Sequence, residues 1–189
     1  MELETHMFKK MLPMPVTVIT TADSAGIVNA APYGCVMPIL RPLDLIAIAT
    51  ALPRDTLRNI RETGEFVVNV IGRPGFQEAM QTARDYPPEV NELEATGLES
   101  VASKKVAPPR IKDSIGWIEA VRLEEILRDS YALIIGRVLC AEMNDKYVDG
   151  DDSEELPAVM IMQKFRGISD IILGDPKETL KLFLPQSPT

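Results

Sequence analysis

Apolar positions along this chain come in short blocks broken by turn residues, not in long helical stripes. Val16-Thr17-Val18-Ile19-Thr20-Thr21 is dominated by β-branched residues and Ala22-Asp23-Ser24-Ala25-Gly26 supplies a turn, so a strand is expected to return over Ile27–Pro32 as a hairpin. Residues 7–12 predict a short helical turn ahead of Pro13 and Pro15. The apolar run Asp44–Thr50 predicts a buried strand. Pro53-Arg54-Asp55 then opens a helix, with Asp55 expected as its N-cap, Leu57 and Ile60 on its apolar face and Gly64 ending it. Glu65–Ile71 predicts the next strand.

The middle of the chain changes character. Gln77–Arg84 and Glu89–Thr96 predict two short helices around Pro87-Pro88, and the polar stretch Ser100–Pro109 predicts a surface excursion. Strands resume over Ile115–Leu123 and Tyr131–Met143, the second long enough that Gly136 is expected to bend it. Asn144–Glu155 reads as an acidic loop, Val159–Phe165 as a last strand and Pro176–Leu184 as a terminal helix. Six or seven strands in hairpin-like order with inserted helices predict a mainly β, closed or nearly closed antiparallel barrel, not a repeated βαβ unit. No internal repeat is present.

Composition narrows the function classes. The 189 residues carry a net charge of −8, a field that repels nucleic acid and anionic bilayers, so neither is an expected partner. No apolar run is long enough to span a membrane, and Met1–Lys10 does not have the form of a signal peptide. Two widely separated cysteines, Cys35 and Cys140, match no metal spacing and no disulfide framework, which fits a reducing, cytoplasmic setting. The single histidine, His6, leaves no material for a histidine-based metal site or catalytic triad.

Two stretches carry candidate chemistry. In Val28-Asn29-Ala30-Ala31-Pro32-Tyr33-Gly34-Cys35, small residues let a flat ligand approach the backbone, whose amides and carbonyls suit the edge of a heteroaromatic ring. Pro32 has no N–H, so the ladder is expected to stop there. An ordinary structural strand is the plainer reading. In Thr50–Ile60 a strand gives way to a helix start, whose free amides, with Thr50, Thr56 and Arg54, suit a phosphate. The Asp55 carboxylate competes for the same donors unless it serves as the cap, and the plainer reading here is a capped helix with a surface arginine. Cys35 is expected as a small buried hydrophobe and Trp117 as core.

The words Asn29-Ala30-Ala31-Pro32-Tyr33, Arg54-Asp55-Thr56-Leu57-Arg58-Asn59-Ile60 and Thr63-Gly64-Glu65-Phe66-Val67-Val68-Asn69-Val70, followed by Asn91-Glu92-Leu93-Glu94 and Pro108-Pro109-Arg110, stand in the order and register of a known family. The chain resembles the flavin reductase-like, FMN-binding split-barrel family over most of residues 13–143. That resemblance implies one Greek-key split-barrel domain over residues 1–189, with a C-terminal extension from about residue 167. It also implies a homodimer with FMN near the subunit interface. The ring is expected along Asn29, Ala30, Ala31, Pro32, Tyr33, Gly34 and Cys35, and the phosphate at Arg54, Asp55 and Thr56, helped by Thr50, with Asn59 behind the loop and Tyr86-Pro87 over the flavin. The electron donor is expected to be NAD(P)H or a redox protein. The activity is then that of an NAD(P)H-dependent flavin or acceptor oxidoreductase, or that of a flavoredoxin-like electron carrier. No side-chain acid or base is implied as catalytic, since the flavin itself accepts electrons. Departures from the family pattern are Arg128-Asp129-Ser130-Tyr131 where many reductases carry Gly-Asp-His, Gly34 where serine is common, and Lys164-Phe165-Arg166-Gly167 in place of a late Gly-Gly…Tyr segment.

Overall fold

The computed structural model describes residues 2, 4–39, 42–147, 157–161 and 164–167. In chain order it contains β1 (Met14–Pro15), β2 (Thr17–Ala22), β3 (Val28–Tyr33), β4 (Val36–Ile39), β5 (Leu45–Ala51), α1 (Asp55–Thr63) and β6 (Glu65–Val70). Then follow α2 (Phe76–Gln81), α3 (Glu92–Thr96), β7 (Ser100–Val101), β8 (Arg110–Ile111), β9 (Gly116–Leu127), β10 (Tyr131–Met143), β11 (Val159–Ile161) and β12 (Lys164–Arg166).

Seven strands form one antiparallel sheet in the order β3-β2-β6-β9-β10-β5-β4. The two edge strands, β3 and β4, are separated in sequence only by Gly34 and Cys35. With two residues between them, Tyr33 and Val36 stand at most about 11 Å apart, so the sheet must curl until these edges come close. The Cys35 carbonyl accepts from Ala49 N–H at 3.0 Å at that seam. The curled sheet encloses Ile19, Ile46, Ile48, Phe66, Val68, Ala120 and Ile134, all buried, and α1 plugs it with Leu57 and Ile60. Burying each of those two side chains is worth about 1.5–3 kcal/mol. Gly136 makes room for this core, because a Cβ there would stand 2.5 Å from Phe66 Cζ. The β9–β10 register shifts beside it, between Ile135 and Gly136, so the expected bend is a bulge.

A second apolar cluster, including Val16, Val18, Val28, Ala30, Ala79 and Leu93, lies between the outer side of β2–β3 and the helices α2 and α3. Strand β2 is therefore buried on both faces, which is why its residues show no polar alternation.

Several expectations are corrected. Pairing continues past Pro32 to Tyr33, because β3 is an edge strand and the proline nitrogen faces away from β2. Asp55 is the first residue of α1, and Arg54 occupies the N-cap position without any side-chain cap. Gly64 does end α1, in the left-handed conformation with φ +78°. Val36–Ile39, holding Pro38, is a strand that the pattern did not reveal. Val159–Phe165 is two short strands, β11 and β12, which pair with each other while β11 also pairs with β1. The expected helix at Pro176–Leu184 and most of the acidic loop lie outside the described residues. Among the described residues no helix is long and apolar enough to cross a membrane.

Candidate functional site

A cavity of about 650 Å³ opens along the seam. One wall is β3 and its exit, another is the end of β5 with the start of α1, and a third is Thr82–Tyr86 with Glu92. Asn29, Ala31, Pro32, Tyr33, Gly34, Cys35, Thr50, Arg54, Asp55 and Thr56 all line it. Ala30 and Asn59 do not; they stand behind the wall. Asn59 is buried and donates to Thr21 Oγ1 at 3.2 Å, while Asn29 Nδ2 donates to Thr56 Oγ1 at 3.0 Å and ties β3 to the first turn of α1. Tyr33 OH shares a 2.8 Å hydrogen bond with Thr50 Oγ1, spanning the seam from the other side. The Thr56 hydroxyl thus accepts from Asn29 and keeps its own proton to give.

The first turn of α1 leaves its N–H groups unmatched within the helix. Most helices cover them with a Ser, Thr, Asp or Asn cap worth about 1 kcal/mol. Here the cap position is Arg54, whose backbone is extended and whose side chain makes no cap bond. The carboxylate of Asp55 is turned to Arg58 Nη1 at 2.6 Å, so it does not occupy the amides. Uncovered amides, the positive end of a helix, Arg54 and the Thr56 hydroxyl therefore converge on one mouth of the cavity. The donor set fits a phosphate group.

The wall formed by β3 is acceptor-rich. Ala30 N–H, which faces away from β2, is already taken by Glu92 Oε2 at 2.9 Å, and Pro32 has none to offer. Outward-facing carbonyls remain, a match for an imide N–H on a planar heteroaromatic ring. Cys35 is exposed, correcting its expected burial, because the seam leaves it on the open side. Trp117 is only half-buried and lies away from the cavity, donating to the Ile111 carbonyl at 2.7 Å beneath the Arg110 guanidinium.

Glu92, Arg58 and Thr82–Arg84 are cavity residues that the sequence reading did not single out. Glu92 begins α3 directly after Asn91, whose side chain caps the helix. A glutamate in a first helical turn reads as a solvated partner of the helix dipole. Only the packing of α3 on β3 buries it, leaving 7% exposed. Burial pushes its carboxyl up to about 7 against the opposing pull of the Ala30 amide, and the Asp55 carboxylate raises it further. Tyr86, expected over the flavin, lines the cavity.

A curled antiparallel sheet with a seam, one plugging helix and helices packed outside defines a split β-barrel. The family described as flavin reductase like domain matches residues 8–169, and the chain belongs to it. It is 39% identical over 184 residues to an uncharacterised protein of Methanothermobacter thermautotrophicus, a match covering 93% of this chain and 86% of that one. Flavoredoxin of Desulfovibrio vulgaris (Miyazaki F) superposes with a TM-score of 0.80 at 16% identity, covering 95% of this chain and 100% of that one. A Shewanella frigidimarina protein described as a flavin reductase with split barrel domain superposes at 0.75, with 22% identity and coverage of 98% and 94%. Family membership gives the chain a flavin-related oxidoreductase role.

Proposed function

We propose that this protein binds FMN in the seam cavity and works as an FMN-dependent oxidoreductase. The isoalloxazine ring lies against Asn29–Cys35, and the phosphate is held by the amides at the start of α1 with Arg54, Thr56 and Thr50. The uncapped α1 terminus, opening into a cavity whose far wall is an acceptor-rich strand edge, carries this reading. FMN, when bound, supplies the acceptor for a hydride or single electrons. The chain's own part is to bind and orient it. Thr56 and Arg54 offer a proton and a charge to the phosphate, β3 offers carbonyls to the ring edge, and Tyr33 with Thr50 holds the seam closed beneath it. The electron source is NAD(P)H.

A second reading, a flavoredoxin-like carrier fed by a redox protein, is favoured by one observation. Ser130, in the turn between β9 and β10 where many reductases of the family carry histidine, does not line the cavity; its carbonyl accepts from Leu52 N–H at 3.1 Å. Anaerobic stopped-flow mixing with NADH and NADPH separates the two: rapid bleaching of bound flavin supports the reductase, and bleaching only by a protein donor supports the carrier. Purified protein that neither carries nor takes up flavin contradicts both. Arg54→Ala is expected to weaken FMN binding by about 1–3 kcal/mol in a fluorescence titration; unchanged affinity removes Arg54 from the site.

The working unit is a homodimer. The outward side of β10 supports this: Tyr131, Leu139 and Met143 are exposed and Leu133 and Ile135 half-buried, two apolar groups on either side of Arg137. Sedimentation as a monomer at micromolar concentration contradicts it.

A further inference from the structure

Glu92 is the one buried carboxylate on the cavity wall without a cationic partner among the described residues, and its side chain accepts a hydrogen bond from Ala30 N–H. The charges around it are unevenly placed. Asp55 faces it from α1 and acts on it unfavourably, while Arg58 is committed to Asp55. Arg54 stands at the mouth of the cavity, and Arg84, Asp85 and Tyr86 line the third wall. On β3 the titratable group is Tyr33, whose hydroxyl is bonded to Thr50. Glu78, on α2, faces a separate cleft beside Gly97 and Leu98. Bringing a phosphate dianion into this cavity adds negative charge to a wall that already holds Asp55 and Glu92, at a site where burial weakens screening.

Resting on the FMN reading above, we infer that Glu92 is a positioning residue that takes up a proton as the flavin phosphate enters, while its carboxyl keeps hold of the Ala30 amide. In either protonation state one oxygen still accepts from Ala30, so β3 stays in place. The added proton removes one negative charge from the wall, and FMN binding and protonation favour each other reciprocally. Burial already holds the free carboxyl near neutrality, so only a modest further rise is needed for uptake at physiological pH.

Isothermal titration of the full-length protein with FMN at pH 7.5, in PIPES and in Tris, measures the protons exchanged on binding from the difference in buffer ionisation heat. The wild type is expected to take up about 0.2–0.8 proton per FMN. Glu92→Gln, which keeps an acceptor for Ala30, is expected to take up none beyond the small contribution of the FMN phosphate itself. Its affinity at pH 8 is expected to exceed that of the wild type severalfold, the gap closing toward pH 6. Riboflavin, without a phosphate, is expected to show little uptake with either protein. FMN binding with no uptake by the wild type, or with the same uptake by Glu92→Gln, overturns the role of Glu92 while leaving the FMN site standing. Failure of FMN to bind the wild type overturns both.

Discussion

Two clusters of charged and polar side chains sit on opposite parts of the barrel, and they are built in opposite ways. Around Glu119, with 0% exposure, the carboxylate accepts from Lys104 N–H at 2.8 Å, Lys105 N–H at 2.6 Å and Arg110 Nε at 2.6 Å. Arg110 is itself buried, also reaches Glu142 and lies 5.1 Å from the centre of the Trp117 ring. Protein atoms saturate this cluster, which ties the loop before β8 to β9. At the seam, by contrast, a helix begins without a cap and a buried carboxylate holds one amide. A saturated polar cluster holds structure together, whereas incompletely matched groups in a cleft mark a candidate functional site.

Breaking the saturated cluster should have the largest effect. Glu119→Ala leaves Arg110 buried with only one of its two carboxylate partners and strands two loop amides, so a loss of about 3–5 kcal/mol is expected in urea unfolding. A loss below about 1 kcal/mol would mean that the cluster contributes little to the fold.

Glu92 should behave in the reverse sense. Its folded pKa of about 7 stands above the ordinary 4.5, so the native protein holds the proton more tightly than the unfolded chain between those values. The stability this gives is fully present below about pH 4.5 and is lost as pH rises through about 7. The full loss is roughly 3 kcal/mol for that shift. Glu92→Gln, which cannot ionise, should therefore be more stable than the wild type at pH 8 by about 1–3 kcal/mol, with the advantage vanishing toward pH 4.5. A pH-independent difference would show that the carboxyl is not held near neutrality.

A smaller effect tests the missing cap. Arg54→Ser places a capping hydroxyl where the backbone is already extended. The variant should gain about 1 kcal/mol of stability without flavin and bind FMN more weakly, because the new hydroxyl competes for the α1 amides and the cation is gone. A gain in stability with undiminished FMN affinity would place the phosphate elsewhere.

Much of the fold around these two clusters was legible in the sequence. The hairpin of β2 and β3, the helix closed by Gly64, and the long β10 follow from β-branched runs, turn residues and helical spacing. Both halves of the seam, Asn29–Cys35 and Thr50–Thr56, were visible as ligand-suited words. What escaped was long-range. Asp55 looks like a cap from its type, and only its pairing with Arg58 shows that it is not one. Val36–Ile39 is too short and proline-broken to declare itself, and becomes a strand because β5 offers it an edge. Glu92 resembles any glutamate of a first helical turn until α3 packs on β3. The Glu119 cluster draws together residues from Lys104 to Glu142 and leaves no local signature.

The central claim is that the start of α1 grips a flavin phosphate, and comparing FMN with riboflavin in one fluorescence titration tests it most directly. The two ligands share the ring and differ in the phosphate alone. FMN binding at least tenfold tighter than riboflavin, with the gap largely closed in Arg54→Ala, is the predicted result; equal affinities of the wild type for both would contradict it.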